Sequence, residues 1–170
     1  LEMQFFDDAT AMKLALTTGH LDVAEFPPQH YLSIEDDVTS GDLLNVDVFS
    51  GPKCTQLWSS VAVNMNEAGP NLARLDPAVR RAMAMSTDKE YIVDNFYLDL
   101  AEVGTTIIST AVGEWHYEPS PGELIEFDIA SASQLLEDSG YLYTMDSPDV
   151  RVATSESYAV QEGLIAEGTP

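Results

Sequence analysis

Apolar residues along this chain recur at two spacings, and the switches between them lay out the elements. Between Asp8 and Thr18, Met12, Ala15 and Leu16 share one helical face, with Asp8 placed to cap and Gly19 to stop the helix. Residues 21–26 predict a short strand that Pro27 and Pro28 break. Pro28 also suits the first turn of a second helix, which carries Tyr31, Ile34 and Val38 on one side and ends near Gly41. The spacing then falls to two. Residues 44, 46 and 48 alternate with polar neighbours. Within 55–64, Leu57, Ser59, Val61 and Val63 oppose Gln56, Trp58, Ser60 and Ala62, so two strands are predicted, joined by a turn-like Ser-Gly-Pro-Lys at 50–53.

Helical spacing returns at Asp76-Pro77, a cap followed by proline in the first turn, with Val79, Ala82, Met83 and Ser86 behind it. Thr87 to Glu90 fits a capping box that opens another helix bearing Ile92, Val93, Phe96 and Tyr97. Residues 104–122 form a loop rich in Gly, Thr, Pro and aromatics. Asp128 caps a helix with Ile129, Ala132, Leu135 and Leu136 inward and Gly140 as its end. After Tyr141 the pattern fades, and the last 25 residues read as partly irregular. The expected core is Leu16, Val46, Val48, Val61, Val79, Met83, Ile92, Phe96, Leu135 and Leu136. These elements predict a mixed α/β domain, a central mixed sheet with flanking helices.

Composition narrows the function classes. A chain of 170 residues with 45% hydrophobic content is long enough for a packed core. Seven basic residues against 29 acidic ones give a net charge of −22, a surface that repels nucleic acid and anionic lipid. That charge reads first as a solubility device and second as capture of a cationic ligand. No stretch approaches the roughly 20 apolar residues of a membrane span. A single cysteine, Cys54, forbids an internal disulfide. Neither end reads as a natural terminus, and the chain reads as a piece of a longer protein.

Catalytic and metal chemistry find little support. Cys54 with His20, His30 or His116 as base lacks any recognisable elbow or orienting partner, so no enzyme is expected. The histidines have no metal-ligand spacing, and neither metal nor cofactor is expected. Glu35, Asp36 and Asp37 read as a solvated helix face, and Asp7-Asp8 as a capping pair. The glycines are scattered and form no phosphate-binding loop. Aromatic and amide side chains remain as ligand-contact candidates: Trp58 on its strand, Trp115, His116 and Tyr117 in the loop, and Asn64 and Asn66 after the second predicted strand. Packing under a helix is the competing reading for Trp58, loop anchoring for Trp115, and turn capping for the two asparagines.

Four segments carry a resemblance. Leu75-Asp-Pro-Ala-Val-Arg-Arg-Ala82 and the Asp88-Lys-Glu-Tyr-Ile92 that follows, preceded by Val63-Asn-Met-Asn66, resemble the signature of the dipeptide- and oligopeptide-binding proteins of ABC importers. Met12-Lys-Leu-Ala-Leu-Thr-Thr-Gly-His-Leu-Asp-Val-Ala24 is similar to another element of that family, with His20 where glutamate is common. Trp115-His-Tyr117 stands where relatives carry an aromatic loop, and Asp128 to Tyr141 resembles the family's final helix and its Gly-Tyr end. The four occur in the family's order over roughly residues 5–145. Asp146-Ser-Pro-Asp-Val-Arg151 lacks the glycine and acidic spacing of a calcium loop.

The resemblance implies part of a two-lobed binding protein, with residues 1–26 as hinge or crossover of the first lobe and 27–170 as part of the second. It implies capture of peptides or similar solutes outside the membrane, periplasmic or on a cell-surface lipoprotein, and delivery to permease subunits. A ligand-sensing or structural module of the same fold is the alternative.

Overall fold

The computed structural model describes residues 2–49 and 59–170. Four helices begin where the sequence places them. α1 (Ala9–Thr17) is capped by Asp8, whose carboxylate accepts from the Ala11 amide at 2.8 Å. α2 (Pro28–Ser40) opens on Pro28 and ends on Gly41, whose φ of 83° is the left-handed turn that glycine adopts without a Cβ penalty. α3 (Pro77–Met85) is capped by Asp76, and α5 (Ile129–Asp138) by Asp128. Between these two lies α4 (Lys89–Phe96). Its cap is Asp88, one residue later than the expected capping box, because Thr87 instead donates its hydroxyl to the Met83 carbonyl at 2.9 Å.

The class is mixed α/β, but the described sheet is a two-stranded antiparallel hairpin, smaller than the central mixed sheet expected. β1 (Tyr141–Thr144) pairs with β2 (Ser147–Ala153) in a register that sets Tyr141 opposite Ala153. Residues 21–26, 44–49 and 59–64 are not strands. Alternation stabilises a strand only where one face packs and the edges pair, and Val61 stands 82% exposed. Residues 50–58, with the turn and the first four residues of the second expected strand, lie outside the described residues. The last 25 residues are partly irregular, as expected, but packed: β2 leads into α6 (Tyr158–Gln161), turns and bends make up the rest, and Ala153, Ser157 and Ala159 are buried.

The centre of packing is this C-terminal unit. Ala73, Tyr141 and Ala153 form a buried cluster, with Val79, Leu136, Val160 and Ile165 packed around it. α3 and α5 pack together, each burying one small side chain, Ala82 and Ala132, and the Asp128 amide donates to the Met85 carbonyl at 2.8 Å. Of the expected core, Val79 and Leu136 join this cluster. Leu16, Val46, Val48 and Leu135 are half-buried, and Val61, Met83, Ile92 and Phe96 are exposed. The accessible surface of 12524 Å² exceeds the roughly 8,000 Å² that a compact monomer of this mass presents. The exposed faces of α3 and α4 account for Met83, Ile92 and Phe96, and the unpaired segment 59–64 for Val61.

Candidate functional site

Three arrangements of polar groups are built by these elements. The first is the corner at 64–71, just before α3. The Asn64 side-chain oxygen accepts from the Asn66 amide at 2.9 Å, and the Asn66 oxygen accepts from the Ala68 amide at 2.9 Å. These are successive Asx turns, the capping role weighed above. Arg74, in the 3-10 turn Leu72–Leu75, reaches back across the corner. Its guanidinium donates to the carbonyls of Asn64 at 2.7 Å, Pro70 at 2.6 Å and Asn71 at 2.7 Å, and also to that of Asn66. Asn71 closes the corner with φ of 45° and caps the 3-10 turn through its side chain.

The second arrangement is the aromatic loop. A 3-10 segment, Thr110–Trp115, kinks at Gly113 and ends beside His116. The His116 side chain is 10% exposed. Its Nδ1 donates to the Ile108 carbonyl at 2.7 Å, and Nε2 lies 3.2 Å from the Glu118 carboxylate. Further along, Glu123 accepts from the Tyr117 hydroxyl at 2.7 Å and from the Ser120 amide and hydroxyl at 2.9 and 2.8 Å. The Tyr117 hydroxyl bond, then those from Ser120, hold the Glu123 carboxyl below its ordinary range. The same carboxylate pushes the Tyr117 phenol above its ordinary value. The largely covered imidazole anchors the loop while Trp115 stands 77% exposed and Tyr117 58%.

The third is a buried joint under α3. The Asp76 carboxylate accepts from the Ala78 amide and, through its other oxygen, from the Tyr141 hydroxyl, each at 2.8 Å. Burial first, and then the Asp76 hydrogen bond, raise the Tyr141 phenol well above its ordinary value. An open depression of about 300 Å³ lies over this joint, lined by Asp76, Ser139, Glu156, Tyr158 and Gln161 among others. Among the described residues, none of the ligand-contact candidates lines it.

The structure therefore divides the candidates into two groups. Asn64 and Asn66 share the corner, and Trp115, His116 and Tyr117 share the loop. Among the described residues no hydrogen bond or ion pair joins the groups, and Trp58 lies outside those residues. His116 acts as the anchor of its loop, the role weighed for Trp115. Arg74 was missed because its role is made of bonds to backbone carbonyls, which no side-chain motif records. Among the described residues no cluster of His, Cys, Asp and Glu is arranged to hold a metal ion. No helix among them is long and apolar enough to cross a membrane.

The joint has a further meaning. Asp76 belongs to the Asp-Pro-x-Val-Arg segment and Tyr141 to the Gly-Tyr end of another, so two separated motifs meet in one buried contact. Searches of curated proteins and of solved structures found no match to the chain. The family model described as bacterial extracellular solute-binding proteins, family 5 Middle, matches residues 1–168. The chain therefore belongs to the family 5 extracellular solute-binding proteins, whose general role is to bind substrate for ABC importers outside the cytoplasm.

Proposed function

We propose that this protein captures peptides or similar small solutes and hands them to the permease subunits of an importer, without changing them chemically. Residues 1–26 belong, in this reading, to the crossover of the first lobe and residues 27–170 to the second, in a protein held at the cell surface or in the periplasm. Trp115 and Tyr117 are the side chains offered to solute, with His116 fixing the loop beneath them and Asn64 and Asn66 as polar contacts. Trp58 is kept as a further contact. The observation that supports this most is the aromatic loop, in which exposed aromatic faces are held by a nearly buried imidazole and a triply bonded carboxylate. Ordering a binding surface before the ligand arrives lowers the entropy lost on capture. A receptor for many peptide sequences gains affinity from enclosure, aromatic walls and hydrogen bonds to the ligand backbone rather than from reading each side chain.

The test is mass spectrometry of small molecules that remain with the full-length protein through purification. Short peptides are the expected finding. Retention of a sugar or a metal chelate alone overturns the peptide reading, and hydrolysis of added peptides overturns the non-catalytic one.

A further inference from the structure

Arg74 is placed to do more than brace a turn. Its guanidinium spends its donors on four backbone carbonyls, those of Asn64, Asn66, Pro70 and Asn71, with no carboxylate among them. In a chain of net charge −22, a cation is here committed to shaping backbone rather than to pairing with acid. Gly69 fits the same arrangement. Its backbone is not left-handed, so conformational freedom does not explain it; a Cβ there would stand 2.4 Å from a terminal nitrogen of Arg74 and 3.0 Å from the guanidinium carbon. The residue leaves the space that the guanidinium fills.

The asparagine orientations follow from this frame. A backbone amide can meet only an oxygen, so the bonds from the Asn66 and Ala68 amides fix Oδ1 of Asn64 and Asn66 inward. Both side-chain NH2 groups are thereby left without a partner among the described residues, on exposed residues. We infer that Arg74 and Gly69 form a clasp that holds the 64–71 corner in one shape, so that the NH2 groups of Asn64 and Asn66 act as paired donors to a carbonyl or carboxylate oxygen of the solute. Arg74 is thus a positioning residue. The donor half of the inference rests on the proposed function; the clasp does not.

Two measurements separate the halves. In the intact chain, hydrogen exchange read by NMR reports the Asn66 and Ala68 amides directly. Arg74→Gln and Gly69→Ala are each expected to speed their exchange by about tenfold, with α5 amides unchanged. The double variant is expected to go no further than either single one, because both remove the same clasp. Gly69→Ala guards against misfolding, since its clash is with the end of a flexible side chain. Unchanged exchange in both variants, or effects that multiply in the double, overturns the clasp.

For the donors, Asn64→Asp and Asn66→Asp keep the oxygen that closes each turn and replace only the NH2. With an equimolar mixture of tripeptides as probe, each is expected to lower retention by about tenfold, the scale of one charge-sensitive hydrogen bond, while exchange at Asn66 and Ala68 stays slow. Unchanged retention overturns the donor assignment. If the unaltered protein retains no tripeptide, the peptide reading and the donors fall together, while exchange still decides the clasp.

Discussion

Helices α1 and α2 are joined through Lys13, which bonds Ser33 at 2.7 Å and Asp37 at 2.9 Å, and Ile34 is the one buried residue of the two helices. The unit built from α3, α5, the hairpin and α6 holds together through several bonds that cross between its elements, to backbone and to side chains. The Thr154 amide and hydroxyl both bond the Gly140 carbonyl, Asp76 joins Tyr141 beneath α3, and Arg151 donates to the Tyr141 carbonyl, Ser133 and Glu137 while lying 4.5 Å over the Tyr143 ring. The same capping signals start helices in both regions. What differs is whether a helix, once formed, finds buried polar partners that fix its position. Local propensity makes the element, and a satisfied interior makes the fold specific.

Variants on each side sharpen the contrast. Asp76→Ala removes the cap of α3 and leaves the Tyr141 hydroxyl without its buried partner, so a loss of about 3 kcal/mol is expected in denaturant unfolding. A loss below about 1 kcal/mol would show that the joint is not what holds the unit together. Gly140→Ala is expected to cost about 2 kcal/mol, because φ is 82° and the new Cβ would meet the Ser157 amide nitrogen at 2.7 Å; the thermal midpoint reads it.

Acid gives a smaller and local effect. The Ser131 hydroxyl, then its amide, hold the Asp128 carboxyl below its ordinary value of 3.8, and Glu123 is likewise held below 4.5. Groups whose folded values are depressed contribute stability that is complete above the ordinary value and lost as pH falls through the folded one. Corrected for the intrinsic rate, which itself slows in acid, exchange at the Ser131 and Ser120 amides is therefore expected to quicken only below those ordinary values. Quickening already near pH 6 contradicts the assignment. The smallest effect is expected of Lys13→Met, about 0.5 kcal/mol, since the pair is partly exposed, and it should leave exchange in α5 untouched. A change in α5 would show that the two regions unfold together.

The legible part of the fold was the part written in caps. Asp8, Asp76 and Asp128, with Pro28, Gly41 and Gly140, announce helix ends by local chemistry that tertiary contacts do not override. Strands at 44–49 and 59–64 misled because alternation presumes a sheet to join. The C-terminal unit stayed hidden for another reason: Ala73, Ala82, Ala132, Ala153 and Ala159 make most of its apolar core, and periodicity counts large side chains. Of the candidate site, Asn64, Asn66 and the 115–117 loop were visible by residue type. Arg74 and Gly69 were not, because a donor to carbonyls and a gap for its plane leave no spacing to read.

The Ala153 amide donates to the Thr169 carbonyl, and the Gly168 amide returns a bond to the Ala153 carbonyl, each at 2.8 Å, while Asn71 donates to the Pro170 carbonyl. An open strand border is the usual template for unwanted association between molecules. Residues 168–170 occupy that border where β2 finishes, so a hairpin too small to shelter its own flank is covered there by a later segment of the same chain.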